Sequence, residues 1–259
     1  MEPVKVEIED GIAKAVLNRP ESFNALDIEL AEALAKALAG FSTDESVKAV
    51  IVSGEGKAFC AGGNLKWVLK HPSGTRAAFH ELAGRFHQSI IEIRRMQKPV
   101  IAAVNGVAAG AGFSLALACD FRVMAKSATF RQAYTSVGLC IDGGGSHILP
   151  RLVGQSRAME IIAFDEPISS ERALEWGMVT KLVDDGTAMD ESLNMARELC
   201  GRSIHSFGWC KGLITDSFDT PLEAQLEKER AGIADCGATE EGIERMRAFA
   251  EKRKPVLRS

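Results

Sequence analysis

The chain has 259 residues, 46% apolar and 25% charged, which is enough for one large domain or two small ones with a sizeable core. Its 31 basic residues face 35 acidic ones, a net charge of −4 that gives no footprint for nucleic acid or an anionic membrane. No apolar run is long and charge-free enough to span a bilayer, and the acidic start MEPVKVEIED has no apolar segment of a secretory signal. The basic end EKRKPVLRS is the one local exception, either a solvated tail or a contact for a phosphorylated ligand. The cysteines at 60, 119, 140, 200, 210 and 236 form no CxxC pair and no Cys/His metal pattern. They imply a reduced, cytoplasmic protein with free thiols and no metal site.

Strand and helix patterns alternate along the chain, as in an α/β architecture. IAKAVL (12–17) reads as a strand. Asp27 caps a helix from about 28 to 39, with Leu30, Leu34 and Leu38 at helical spacing. VKAVIV (47–52) is a β-branched strand, followed by the loop GEGKAFCAGG and the short helical pattern NLKWVLK. Phe79, Leu82, Phe86, Ile90 and Ile93 share one helical face within 77–96, which Pro99 closes. VIAAV (100–104) is a strand, Asn105-Gly106 turns the chain, and GVAAGAGFSLALAC enters a buried helix. FRVMA (121–125) is a strand, a helix lies near 155–163, and Ser169 or Ser170 caps a helix over ERALEWG. VTKLV (179–183) is strand-like. Helical patterns near 189–200, 205–218, 221–235 and 239–253 then succeed one another. The division is a body over 1–186 and a helical C-terminal region over 187–259.

Two small-residue turns follow strands and precede helices: Ala61-Gly62-Gly63-Asn64 and Gly110-Ala111-Gly112. Backbone N–H groups at a helix start are unpaired, and two of them converging on one oxygen make an oxyanion hole. Tight helix–strand packing is the plainer reading of either turn taken alone. A dinucleotide fingerprint fails for want of its third glycine. GEGKAF fails as a phosphate loop, because Ile51 stands at the first glycine and alanine follows Gly56-Lys57.

Taken together, GKAFCAGGNL, KPVIAAVNGVAAGAGFSLALACD, GLCIDGGGSHILPRLVG and ERALEWGMVTKLV closely resemble the enoyl-CoA hydratase/isomerase (crotonase) superfamily. NRPESFNAL near the start and AFAEKRKPV near the end extend the match over nearly the whole chain. The resemblance implies a crotonase-like superhelix of repeated ββα units with a helical C-terminal trimerisation region. It implies an acyl-CoA substrate, coenzyme A entering only as part of that thioester, and a homotrimer or dimer of trimers. By position, the N–H groups of Gly63 and Ala111 would hold the thioester oxygen as an enolate forms. Substrate and coenzyme A contacts would come from Asn24, Ala25, Leu26 and Ala61, with Gly62, Asn64, Leu65, Tyr134 and His87 beside them. Phe249 and Lys252 would add contacts at the far end, toward a neighbouring subunit. A wall carrying Trp67, Phe79 and Phe86 would enclose the acyl group.

Hydratases of this superfamily place two glutamates over the substrate. The matching positions here are Ser114 and Tyr134, neither of which is a carboxylate. The remaining acid is Asp142, with Leu139 and Ile141 as apolar neighbours expected to raise its pKa. On the residues alone, Asp142-Gly143 is better explained by a turn. The resemblance instead implies the single acid/base of a double-bond isomerase, taking an alpha proton and returning it at the gamma carbon. Three other readings stand beside it: hydration by a non-standard acid/base, a halobenzoyl-CoA dehalogenase-like reaction, and a thioester-binding module without turnover. In the dehalogenase-like reaction Asp142 is the nucleophile and His87 matches the companion histidine, but Tyr134 stands where those enzymes carry tryptophan. His87 as a helix-face residue and His147 as a structural one are the plainer readings of the two histidines.

Overall fold

A computed structural model of the chain describes residues 2–257. In chain order it contains strands β1 (Val4–Glu9) and β2 (Ile12–Leu17), helix α1 (Ile28–Thr43), strands β3 (Ala49–Gly54) and β4 (Ala58–Cys60), and helices α2 (Leu65–Leu69) and α3 (Gly74–Arg95). Strands β5 (Val100–Val104) and β6 (Val107–Ala109), helix α4 (Ala111–Ala118), strands β7 (Phe121–Ala125) and β8 (Thr129–Arg131), and helices α5 (Gly145–Val153) and α6 (Gln155–Phe164) follow. After them come strand β9 (Ile168–Ser169), helix α7 (Ser170–Glu175), strand β10 (Lys181–Val183), and helices α8 (Ala188–Cys200), α9 (Ile204–Asp216), α10 (Leu222–Ala238) and α11 (Glu240–Ala250).

The strands form two sheets. The larger has the order β1-β2-β3-β5-β7-β10, and the smaller β4-β6-β8-β9. From β2 onward the larger sheet is parallel, while β1 folds back antiparallel on β2. Three passages through the large sheet are each followed by a short strand in the small sheet and then by helix: β3-β4-α2, β5-β6-α4 and β7-β8-α5. This is the mixed α/β, repeated ββα architecture with a helical C-terminal region that the motif order implies.

The central strands of the large sheet, β3 and β5, are buried on both faces, as parallel sheets are. Val50, Val52, Ala102 and Val104 pack with α1, α3 and α4 into the main core. The alternate positions Ile51, Ile101, Ala103 and Val123 face the other way, where α8 covers them. Helix α9 is fastened to the body by Lys211, whose ammonium lies 2.7 Å from Asp120 Oδ2 with both side chains buried.

Several expected boundaries hold. Asp27 caps α1, accepting from Leu30 N–H at 3.0 Å, and Ser169 rather than Ser170 caps α7. The strands β1, β4, β6 and β8 and the helix α5 lie where no element was expected. Three of those strands have three residues each, too short to show an alternation. β1 is an edge strand with five of its six residues exposed, so its pattern carries no apolar face.

Short strands in the small sheet position the glycine turns. β4 and β6 run parallel, with Cys60 opposite Ala108, so their ends deliver the two turns side by side. Gly112 makes this possible: a Cβ there would lie 2.0 Å from the Cys60 carbonyl oxygen. Gly112→Ala is therefore expected to destabilise the fold by about 1–3 kcal/mol in urea denaturation. Gly84→Ala, in the middle of α3 with nothing within 4 Å of its added Cβ, is expected to gain up to about 1 kcal/mol. Equal effects at the two positions would contradict the packing argument.

Candidate active site

The site begins where the two turns meet. Leu26 clamps the first turn by donating its N–H to Gly62 O and accepting from Asn64 N–H, both at 2.7 Å. That clamp leaves the Gly63 N–H unused. Ala111 is the first residue of α4, so its N–H has no intrahelical acceptor. Neither N–H is donated to another group among the described residues. The turns are in backbone contact: a Cβ on Gly62 would lie 3.0 Å from Ala109 O and 3.5 Å from Ala111 N. Gly62 and Gly110 both adopt positive φ, +100° and +54°. The positive end of the α4 dipole reinforces this corner as a place for negative charge on an oxygen.

Asp142 is built in from three sides. Its carbonyl accepts from Ser114 Oγ at 2.7 Å and from Gly145 N–H at 3.0 Å. Its Oδ1 accepts from the buried Tyr134 hydroxyl at 2.5 Å. Burial, and then the charge on Asp142, push the Tyr134 hydroxyl far above its ordinary pKa, so it stays a proton donor. His87 Nε2 lies 3.7 Å from the other carboxylate oxygen, Oδ2. The same nitrogen accepts the Gly143 N–H at 3.3 Å. While Nε2 accepts that N–H it has no proton of its own to give Oδ2. One oxygen of Asp142 is thus pinned and the other is left available.

The glycines after Asp142 serve packing. Gly143 and Gly144 take positive φ, +59° and +75°, as a turn into α5 requires. A Cβ on Gly143 would meet Phe86 at 2.5 Å, and one on Gly145 would meet Ile141 at 2.6 Å and Ser114 Oγ at 2.8 Å.

A cavity of about 240 Å³ joins these parts. Among the residues expected from the sequence, Leu26, Ala61, Gly62, Gly63, Leu65, Ala111, Tyr134 and Asp142 line it. Phe79 and Phe86 contribute walls as expected, but Trp67 does not; it packs on the core and edge-on to His71, 5.2 Å between centroids. Asn24 is fully buried and spends its side chain inside the protein, donating to Ala58 O at 2.8 Å and accepting from Arg19 N–H at 2.9 Å. The Asn64 side chain caps α2 through Trp67 N–H at 3.1 Å. Ala25, Phe249 and Lys252 do not line the cavity, and Phe249 stands exposed on α11. The lining also includes Ala83, Ala133 and Val137, which sequence reasoning passed over. Ala83 lies four residues from Phe79 and three from Phe86, a spacing that marks the shared helix face.

Residues 7–259 match the family described as enoyl-CoA hydratase/isomerase. The 1,2-epoxyphenylacetyl-CoA isomerase of Escherichia coli (strain K12) is 36% identical over 256 residues, covering 98% of each chain. A 4-chlorobenzoyl coenzyme A dehalogenase from Arthrobacter sp is 32% identical over 250 residues, covering 96% of this chain and 91% of the relative. The crystal structure of an enoyl-CoA hydratase from Polaromonas sp. JS666 superposes with a TM-score of 0.93 at 38% identity, covering 98% of this chain and 99% of that one.

Tyr134 is the single tyrosine of the chain, so tyrosinate absorbance reports on it alone. At a pH of about 10.5, where an unfolded tyrosine is largely ionised, the native protein is expected to show almost no tyrosinate signal. Above about pH 10 the unfolded chain binds fewer protons than the native one here, so this residue's contribution to stability falls as pH rises. Asp142→Asn removes the second cause of the shift and is expected to bring the titration back toward the ordinary range. An ordinary titration in the native wild type would contradict the buried donor role.

Proposed function

Since the chain belongs to the enoyl-CoA hydratase/isomerase family, we propose that this acyl-CoA-processing enzyme is an enoyl-CoA double-bond isomerase, converting 3-enoyl to 2-enoyl thioesters. Asp142 Oδ2 takes a proton from the alpha carbon. The electron pair released from that C–H bond forms a double bond between the alpha and carbonyl carbons, the carbonyl π pair moves onto the thioester oxygen, and the 3-ene stays conjugated with it as a dienolate. The N–H groups of Gly63 and Ala111 hold that oxygen, where the negative charge develops. The dienolate then takes the proton back from Asp142 at the gamma carbon, and the double bond ends in conjugation with the thioester. No water is consumed, and one carrier serves both transfers.

One observation carries this reading. Asp142 and Tyr134 are the only titratable side chains lining the cavity among the described residues, and Tyr134 is held neutral. Ser114 and Tyr134, at the positions matched to the two hydratase glutamates, both bond to Asp142. They support one acid in place of supplying two. Coenzyme A enters as part of the substrate.

A second reading is favoured by the 3.7 Å approach of His87 to Asp142 and by the dehalogenase relative: Asp142 as a nucleophile toward an aromatic ring. The Gly143 N–H on His87 Nε2 weighs against it, because that nitrogen is already engaged as an acceptor. A homotrimer or dimer of trimers in the cytoplasm is our expectation for the assembly, with Phe249 and Lys252 reaching a neighbouring subunit's thioester. The exposed apolar residues Ile214, Phe218, Leu222, Ile233 and Phe249 on or near α9–α11 support such contacts.

A 3-enoyl-CoA, a 2-enoyl-CoA and a halobenzoyl-CoA separate the readings in one purified preparation. We expect isomerisation of the first, with neither hydration of the second nor halide release from the third. Asp142→Asn is expected to lower kcat by about 10²–10⁴-fold with an unchanged circular dichroism spectrum. Conversion of the second or third thioester alone would overturn the isomerase reading.

A further inference from the structure

The cavity walls carry information about the acyl group itself. α3 presents Phe79, Ala83 and Phe86 to the cavity on one helical face. Tyr134, in the segment after β8, adds a third ring. Leu82 also lines the cavity from α3, and Ala83 is the smallest of these four α3 side chains. Apart from Asp142, no charged side chain lines the cavity among the described residues. A volume of about 240 Å³ corresponds to roughly eight non-hydrogen atoms at ~30 Å³ each. It falls below the range of about 300–1,000 Å³ typical of pockets that enclose whole drug-sized ligands. The space therefore matches an acyl group, with the nucleotide end of the thioester lying outside.

We infer that the site accepts compact, uncharged, apolar acyl groups, a short chain or a single ring of up to roughly eight non-hydrogen atoms, and that Ala83 sets this limit. The inference rests on the acyl-CoA reading of the cavity but not on which reaction follows binding. Inside the cavity each added methylene leaves water and strengthens binding about fourfold. Beyond it, added methylenes stay in solvent and contribute nothing. A terminal carboxylate would lose its hydration within a cavity that offers no cation and already holds the Asp142 charge.

Saturated thioesters test this without turnover. Calorimetric affinities of butanoyl-, hexanoyl-, octanoyl-, decanoyl- and tetradecanoyl-CoA are expected to rise about fourfold per methylene up to octanoyl and then level off. Glutaryl-CoA is expected to bind at least about tenfold more weakly than hexanoyl-CoA. Ala83→Phe is expected to move the levelling point to hexanoyl or shorter while free coenzyme A binds as before. Ala83→Leu, a smaller intrusion, is expected to move it in the same direction. Affinity that keeps climbing to tetradecanoyl, glutaryl-CoA bound as tightly as hexanoyl-CoA, or an unmoved levelling point in both variants would overturn the inference. If none of the thioesters binds, the acyl-CoA reading falls and takes this inference with it. A levelling point at octanoyl supports the inference even if the 3-enoyl-CoA assay is negative, so the two failures are distinguishable.

Discussion

The site depends on the close backbone approach of two turns. The parallel pairing of β4 with β6 sets them side by side, and Gly62, Gly110 and Gly112 let the chains touch. Gly62 has no Cβ to crowd the Ala111 N–H, and Gly112 has none to push α4 off Cys60. With α4 pressed home, its buried first turn points an unpaired N–H and a positive dipole end into the cavity. Any side chain that separated the turns would misplace a donor whose value depends on tenths of an ångström. The large sheet and its helices act as the frame that holds this contact.

The second determinant is how one carboxylate is held. A free aspartate samples several rotamers and presents either oxygen. Here Ser114 fixes the backbone of Asp142, and Tyr134 takes one oxygen. Burial keeps the tyrosine protonated, and the negative aspartate beside it keeps it so more strongly. The pair is mutually reinforcing, since the donor cannot ionise while its acceptor is charged. His87 contributes to the loop, because its neutral nitrogen receives the Gly143 N–H and steadies the turn behind the acid. In our reading a preorganised acid of this kind replaces a two-acid arrangement. The reaction then needs a substrate whose proton leaves and returns on the same face.

Much of the frame was legible in the sequence, for physical reasons that can be named. β2, β5 and β7 match the observed spans to the residue; β5, VIAAV, is a continuous apolar run, as a fully buried parallel strand requires, and β2 and β7 are mostly apolar with one basic residue each. Asp27 announced α1 because its carboxylate accepts the Leu30 N–H. The small sheet was illegible, because three-residue strands show no period, yet those strands align the two turns. At the site, Gly63, Ala111 and Asp142 were readable only through the ordered series of motifs. Asn24 lies in a matched segment that suggests ligand contact, and in the structure its side-chain amide bonds to the Glu55 and Ala58 carbonyls. Ala83 was invisible because a small apolar residue adds little to a helical pattern, although its smallness shapes the cavity.

The central claim is that Asp142 alone carries the proton out and back. Label transfer tests it most directly. A 3-enoyl-CoA deuterated at its alpha carbon is turned over in ordinary water, and the product's gamma carbon is analysed at short times. The account predicts deuterium at the gamma carbon well above the solvent background, and product from Asp142→Asn formed about 10²–10⁴-fold more slowly. A gamma carbon supplied wholly from solvent at every time point, with Asp142→Asn as active as the wild type, would contradict it.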